Sequence, residues 1–290
     1  MTERGRSSPG TNGGFVDLHM HSTASDGSLP AAEVVQAASR ARLAAIALTD
    51  HDTLGGVPEA AAEGERLGVR VIPGVELSAH DRGEVHLLGL HISCVEALES
   101  RLAGFREARR TRAVLIVERL NELGVPVTMD DVLRHAGSGA IGRPHVARAI
   151  VALGRARDQR EAFDRWLGAG KPAYVEKEYL GVREAIALVH DAGGIAVLAH
   201  PGPAATRARL EELRALGLDG VEARHPGHSA EDIARIGALA AHLELLPSGG
   251  SDWHGASEGQ RTIGCMNVPE SWLEKQDAFL RDRREREKVA

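Results

Sequence analysis

Four short stretches of the sequence carry histidine or carboxylate side chains directly after apolar segments that are typical of strands: residues 17–21, 49–52, 199–201 and 251–254. The apolar segments alternate with helical segments, a pattern that favours a parallel sheet, and a site fed by many strands favours closure into a barrel. The carboxyl ends of barrel strands meet at one face. The sequence therefore predicts an α/β fold with one multinuclear metal site at the barrel mouth.

The alternation of strands and helices is interrupted once. Helical patterns follow one another through the middle of the chain without a strand between them, and the alternation resumes until a last strand, expected at residues 262–268. We interpret the interruption as an all-helical insertion in the barrel. The predicted organisation is a disordered tail at residues 1–14, a barrel at residues 15–94 and 176–290, and the insertion at residues 95–175.

Composition excludes several classes of protein. The 290 residues have a net charge of −6, so no global basic field attracts nucleic acid, although a local basic groove is not excluded. The two cysteines have no CxxC spacing, which predicts reduced side chains rather than a disulfide framework. The sequence has no apolar run long enough to span a bilayer. We expect a cytoplasmic protein with no membrane association and find no sign of an obligate protein partner.

Two histidine-containing pairs have the same spacing. His19 and His21 are two residues apart at a strand end, as are Asp252 and His254 near the other end of the chain. On a strand this spacing puts both side chains on one face, so both can reach one metal ion. Asp26 follows in a Ser-Asp-Gly turn that can fold its carboxylate back over the site.

Further candidate ligands lie at or near the ends of other apolar segments. His51 lies between two aspartates after one such segment, and His200 follows another and precedes a Pro-Gly turn. Glu76 also ends an apolar strand, where a carboxylate is unfavourable unless it bridges cations or pairs. His86 lies inside a strand and by itself is typical of a buried core histidine. Together with the other residues, it is predicted to be a ligand.

In combination, these motifs resemble the PHP (polymerase and histidinol phosphatase) family over residues 15–268. The stand-alone phosphoesterases of that family are most similar; they include nucleoside 3′,5′-bisphosphate phosphatases and a 5′-to-3′ exoribonuclease. The resemblance implies a distorted (β/α)7 barrel with an all-helical insertion and three divalent ions. Carried over by position, the ligands are His19, His21, Glu76 and Asp252 for the first ion, Glu76, His86 and His200 for the second, and Asp26, His51 and His254 for the third.

The expected chemistry follows from this ligand set. Mixed nitrogen and oxygen ligands suit Mn²⁺, Fe²⁺ or Zn²⁺ better than Mg²⁺, and we expect Mn²⁺ first. A metal-bridging hydroxide held by Glu76 would attack a phosphomonoester or a terminal phosphodiester. Asp50 would orient His51 or a metal-bound water without binding an ion itself.

Substrate recognition requires cations outside the metal ligands. The resemblance implies that Arg143 and Lys171, at two turns of the insertion, bind phosphate. His225 follows a strand and is a further candidate for substrate contact. The sequence leaves open the roles of His145, Arg224, His228 and the basic run at residues 106–112, which is typical of a solvated face but could guide a polynucleotide.

The preferred interpretation is a metal-dependent phosphoesterase that acts on nucleotides or short RNA or DNA. One alternative is a histidinol-phosphate-type phosphatase with a small phosphate monoester as substrate. An amidohydrolase also uses an HxH pair and a late aspartate, but we find no lysine at a mid-barrel strand end to bridge two ions. A PHP module without activity is a third alternative, although this chain retains the complete set of ligands.

Overall fold

Strands and helices alternate around one curved sheet. The computed structural model describes residues 14–136, 141–176, 180–255 and 261–289. Within these ranges the strands are β1 Phe15–Met20, β2 Ala45–Leu48, β3 Arg70–His80, β4 Glu84–Leu90, β5 Leu180–Gly181, β6 Ile195–Leu198, β7 Gly220–Arg224, β8 Leu246–Gly249 and β9 Val268–Pro269. The α-helices are α1 Ala31–Arg40, α2 Val57–Leu67, α3 Val95–Glu122, α4 Met129–Ala136, α5 Arg143–Ala152, α6 Gln159–Ala162, α7 Val182–Asp191, α8 Arg207–Ala215, α9 Ala230–His242 and α10 Glu270–Val289.

The sheet is a nearly closed barrel with the strand order β8-β7-β6-β4-β3-β2-β1-β9, and β5 pairs with β3. The segment after β8 runs beside the end of β1. The N–H of Asp252 donates to the carbonyl of His19 over 2.9 Å, and the N–H of His21 donates to the carbonyl of Trp253 over 2.9 Å. These two hydrogen bonds join the first strand of the barrel to a segment near the other end of the chain.

The sheet is mixed, so the expectation of a parallel sheet was wrong in two places. Strand β4 is antiparallel to both β3 and β6, and β9 is antiparallel to β1. Strand β4 follows β3 after only three residues, and so short a connection can join only antiparallel neighbours. The last strand was expected at residues 262–268, but residues 263–266 form turns and only Val268–Pro269 pairs. Gly264 has a φ of 70° there, which ends extended backbone.

Aliphatic side chains fill the barrel interior. Strands β2 and β6 are buried along their whole length because helices or the barrel core cover both faces. Their sequences, Ala-Ile-Ala-Leu and Ile-Ala-Val-Leu, are accordingly apolar throughout rather than alternating. This agrees with a core built mainly from Ala, Val, Leu and Ile, which the low aromatic content of 3% requires.

Helices α3 to α6, followed by a π-helical turn at Phe163–Leu167, lie between β4 and β5. They enclose an apolar cluster that includes Ile116, Leu120, Ile150 and Leu167 and is distinct from the clusters around the barrel strands. The boundaries of the insertion and of the barrel remain predictions. The predicted disordered tail lies almost wholly outside the described residues. In the described ranges no helix is both long and apolar enough to cross a membrane.

Gly250 lies where the barrel closes, and replacing it with alanine should destabilise the fold. An added Cβ would come within 2.4 Å of the Cβ of His19 and 2.5 Å of its backbone nitrogen, so β1 would have to move. We expect Gly250→Ala to lower the free energy of unfolding by about 1–3 kcal/mol. Denaturant titration of the ion-free protein measures this change.

Gly237→Ala is the matched control, because Gly237 lies inside α9 with no other atom within 4 Å of the added Cβ. It should raise the free energy of unfolding by about 0.5–1 kcal/mol, since alanine is the better helix residue. A loss of stability in both variants would contradict the steric argument.

Candidate metal centre

One end of the barrel brings all nine predicted ligands into one cluster. Seven of them lie at the end of β1 or in the loops that follow β1, β2, β6 and β8. Glu76 was expected at a strand end but lies within β3, because this strand continues to His80 and pairs with β4, and His86 lies near the amino-terminal start of antiparallel β4. Eight of the nine residues form three groups, and within each group the ligand atoms all lie within 4.8 Å of one another. The groups are His19, His21, Glu76 and Asp252; His51, Glu76 and His86; and His21, Asp26, His51 and His254.

The first group has the spacing of a single ion site. The Nε2 atoms of His19 and His21 each lie 3.2 Å from Glu76 Oε2, and they lie 3.4 and 3.3 Å from Asp252 Oδ1. Donor atoms that surround one ion at 2.0–2.2 Å lie roughly 3 to 3.5 Å apart. The four side chains can therefore hold one ion without rearrangement.

The other oxygen of Glu76 faces two further imidazoles. Its Oε1 lies 2.8 Å from His86 Nδ1 and 3.0 Å from His200 Nε2. His51 Nδ1 lies 3.4 Å from Oε2 of the same carboxylate. Glu76, which is 1% exposed, thus lies between a first and a second group of candidate ligands.

The third group forms around Asp26. Its Oδ1 lies 3.2 Å from His254 Nε2 and 3.8 Å from His21 Nδ1, and its Oδ2 lies 4.0 Å from His51 Nε2. His21 and His51 each direct one nitrogen toward Asp26 and the other toward Glu76. The group around Asp26, which includes the predicted third set Asp26, His51 and His254, therefore shares His21 with the first group and His51 with the group that contains His86.

The charges of the cluster are mutually stabilising. Burial alone would raise the pKa of the Glu76 carboxyl, but the surrounding histidines hold that pKa well below its ordinary value. Burial by itself would lower the pKa of His21. The carboxylates of Asp252 and Glu76 outweigh burial and raise that pKa to about 10. For His86, Glu76 and Glu84 overcome burial and raise the pKa to about 9. The carboxylates therefore hold protons on imidazoles that a metal ion would displace.

The hydrogen bonding of the cluster indicates that metal ions fit it. Among the described residues, both ring nitrogens of His21 and the Nδ1 of His51 are buried and have no partner in hydrogen-bond geometry, although Glu76 lies 3.2 Å from His21 Nε2 and 3.4 Å from His51 Nδ1. A divalent ion between these nitrogens and the carboxylates would satisfy both. The donor set contains no thiolate, so it favours no single metal strongly.

Asp50 supports the site in a different way from the one expected. Its hydrogen bonds within the described chain go to the N–H and hydroxyl of Ser22, both at 2.7 Å, and to the hydroxyl of Ser25 at 2.7 Å, rather than to His51. The reason is that residues 22–25 turn back over the end of β2. Asp50 thereby fixes the loop that carries Asp26.

Sequence reasoning missed Glu222 on β7, which is 0% exposed and contacts two of the candidate ligands. The signal was present, because Glu222 is a carboxylate between two apolar strand residues, as Glu76 is. Asp52 was noted only as a polar residue at a strand end. It accepts a hydrogen bond from the N–H of Ser78 over 2.9 Å and pairs with Arg109 of α3, which ties the insertion to the metal-bearing loops.

The three predicted substrate contacts occupy different environments. Arg143 lines a cavity of about 510 Å³ above the cluster. Lys171 is exposed and is not among the described residues that line this cavity. His225 is buried beneath the cluster, with its Nε2 3.3 Å from Asp252 Oδ2, because β7 directs it toward the metal centre. Of these three residues, Arg143 alone lines the cavity in the described structure.

The residues whose roles were left open are also located. His145 lines the cavity, accepts the N–H of Gly142 over 3.0 Å, and has a pKa that burial lowers to about 4. His228 accepts the N–H of Gly202 over 3.0 Å, and Arg224 donates to the carbonyl of Asn267. In the basic run, Arg109 and Arg112 line the cavity.

Comparisons with known proteins show the family to which the chain belongs. Residues 17–119 match the PHP domain family. The chain is 38% identical to a 3′,5′-nucleoside bisphosphate phosphatase from Chromobacterium violaceum, over 86% of this chain and 90% of the relative. It is 37% identical to the 5′-3′ exoribonuclease Rnm from Salmonella typhimurium, over 83% of this chain and 85% of the relative. A solved structure from Bifidobacterium adolescentis, assigned to the metal-dependent phosphoesterases, is 34% identical with a TM-score of 0.81, over 90% of this chain and 94% of that one.

Ion binding should release protons at pH 7. His21 and His86 have pKa values of about 10 and about 9 in the ion-free protein, so both are protonated at pH 7, whereas a metal ion binds only neutral imidazole. Affinity should therefore rise with pH, by roughly tenfold per unit for each proton released. Calorimetric titration with Mn²⁺ in two buffers of different ionisation enthalpy counts these protons. His86→Ala should release fewer, and equal heats in both buffers would contradict the prediction.

Proposed function

We propose a substrate class and a mechanism for this chain, which belongs to the PHP family and is a hydrolase of phosphoric ester bonds. The proposed substrates are nucleotides or short oligonucleotides, and the proposed cofactors are three divalent ions, Mn²⁺ first. The observation that carries the proposal is the position of Glu76. Its two carboxylate oxygens face different groups of imidazoles, within a ligand cluster above which lies a cavity of about 510 Å³.

The cavity wall supports a negatively charged substrate. Arg109, Arg112, Arg143 and Arg209 line it, although the net charge of the whole chain is −6. Guanidinium groups suit phosphate because their planar donors can bind two oxygens at once. Arg109, Arg143 and Arg209 pair with Asp52, Glu84 and Asp81, so bound divalent ions together with these guanidinium groups would attract an anion to this wall.

The cavity also has an apolar side. Ile116, Ile141, Val146 and Phe163 line it, all from the helical insertion. A volume of this size accommodates a ligand that carries a base and a ribose as well as a phosphate. This combination of cationic and apolar walls favours a nucleotide over a small amine phosphate such as histidinol phosphate.

The protein's own residues would hold and orient the reacting groups. Bound divalent ions would supply a water with a lowered pKa and neutralise phosphate oxygens. Glu76 would hold two ions at a fixed separation, and Asp26, His51 and His254 would hold the third near the entrance. Arg143, within 3.4 Å of Glu84 and stacked over the rings of Phe163 and Tyr174, would bind phosphate at the cavity wall.

The names of the two curated relatives support a nucleotide substrate, since one is a nucleoside bisphosphate phosphatase and the other a 5′-3′ exoribonuclease. Both kinds of substrate present a phosphate beside a ribose. They differ in whether a chain of nucleotides continues beyond it, which an assay can distinguish directly.

A panel of substrates tests the proposal. With Mn²⁺ present, we expect turnover of nucleoside 3′,5′-bisphosphates or of 5′-monophosphorylated oligonucleotides, and little turnover of histidinol phosphate. Asp252→Ala removes a ligand of the first ion and should lower kcat/KM by more than about 100-fold. Phosphate release and mononucleotide release are measured separately.

Asp277→Ala is the control, because Asp277 pairs with the exposed Arg70 and contacts none of the nine candidate ligands among the described residues. It should retain wild-type rates. Equal rates for wild type and Asp252→Ala would exclude the metal mechanism, and turnover of histidinol phosphate alone would exclude the nucleotide substrate.

Two cations of the insertion should differ in their effect on substrate affinity. Arg143→Ala removes a guanidinium from the cavity wall and should raise KM by about tenfold with a smaller change in kcat. Lys171→Ala should leave both constants unchanged, because Lys171 is exposed and lies outside the described lining of the cavity. A larger effect of Lys171→Ala than of Arg143→Ala in steady-state kinetics would contradict this assignment.

A further inference from the structure

Glu222 is a buried carboxylate that lies outside the nine candidate ligands and contacts two of them. Its Oε1 lies 3.1 Å from the Nδ1 of His19. Its Oε2 accepts the backbone N–H of His200 over 2.7 Å. Its side chain is 0% exposed, and His19 is equally buried. His19 faces the first ion group and His200 faces the far oxygen of Glu76, so one carboxylate reaches both sides of the site.

We propose that Glu222 is a positioning residue that aligns one ligand of each of two ions. The inference rests on the metal site of the proposed function. Glu222 binds no ion itself, because both of its oxygens are engaged by His19 and His200.

The contact with His19 determines which ring nitrogen is available to an ion. A carboxylate accepts hydrogen bonds but cannot donate them, so the Nδ1 of His19 must carry the proton. The lone pair of the neutral ring is then on Nε2, the atom 3.2 Å from Glu76 and 3.4 Å from Asp252. The same arrangement of carboxylate, histidine and metal recurs in many metalloproteins, where it fixes the orientation of the ring.

The contact with His200 supports a strained backbone. His200 has a φ of 30°, a conformation that is unfavourable for a residue with a side chain. By accepting the N–H of His200, Glu222 stabilises the turn after β6 in which the imidazole points at Glu76 Oε1, 3.0 Å away. Without this acceptor the buried N–H would lose its partner.

Glutamine at this position has nearly the same shape but cannot serve both contacts. Both groups that face Glu222 are donors, and an amide has only one acceptor oxygen. In Glu222→Gln, either the N–H of His200 faces an NH₂ group, or His19 changes tautomer and presents a protonated Nε2 to the ion. In both cases one ion loses a correctly aligned ligand.

The test compares Glu222→Gln with Asp219→Asn. Asp219 is a matched control at the opposite, amino-terminal end of β7. It also bridges a histidine and a backbone N–H, with its Oδ2 2.8 Å from His190 Nε2 and 2.8 Å from the N of Ala196. Calorimetric titration with Mn²⁺ gives the number and affinity of ions for each protein, and thermal unfolding of the ion-free proteins gives the loss of stability.

We expect Glu222→Gln to bind at least one ion about 10- to 100-fold more weakly than wild type. Asp219→Asn should bind ions as wild type does, whatever its unfolding temperature. In the Zn²⁺-loaded wild type, nitrogen NMR of labelled histidine should show His19 protonated at Nδ1, and this signal should change in Glu222→Gln.

Three results would overturn the inference. If Glu222→Gln binds ions as tightly as wild type, Glu222 does not position the ligands, while the proposed function stands. If both variants weaken binding equally, the effect is general destabilisation. If the wild type binds no divalent ion, the proposed function fails together with the inference.

Discussion

The candidate metal centre is organised around one buried carboxylate, that of Glu76. Five imidazoles have a ring nitrogen within 3.4 Å of its two oxygens: those of His19, His21, His51, His86 and His200. A buried carboxylate without a partner is unfavourable, and so is a group of protonated imidazoles buried close to one another. The carboxylates raise the pKa of His21 to about 10 and that of His86 to about 9, and divalent ions would replace the protons on these two rings. The strand ends are therefore held together by charge as well as by the sheet.

Much of this site could be predicted from the sequence, because strand ends in a barrel converge whatever their order along the chain. The two histidine-containing pairs, the residues at other predicted strand ends and the family resemblance together gave nine candidate ligands that the fold brings together. The family, the barrel and the class of enzyme followed from the same residues. The assignment of individual ligands to individual ions remains a prediction.

Other features depend on contacts that no local pattern reveals. Asp50 was expected to orient His51 or a metal-bound water, and in the described structure a folded-back loop gives it Ser22 and Ser25 as partners. Lys171 and His225 were candidates for substrate contact together with Arg143. Of these three described residues, only Arg143 lines the cavity. The reversed direction of β4 follows from a connection too short for a crossover. The burial of a side chain and the direction of a strand are properties of the assembled barrel. The residues around Gly264 form a turn where apolar spacing predicted a strand.

The closure of the barrel also has a consequence for the order in which the protein matures. Asp17 accepts the N–H of Ser251, a residue 234 positions later, and the segment from 251 to 254 supplies two candidate ligands. Contacts of such long separation form late in folding, and a chain that emerges from the ribosome in sequence acquires them last. Neither the first nor the third ion group is complete until this segment has been synthesised and has docked on β1. A nascent chain therefore has to extend beyond residue 254 before all nine candidate ligands can meet, so the cluster can form only once the barrel has closed.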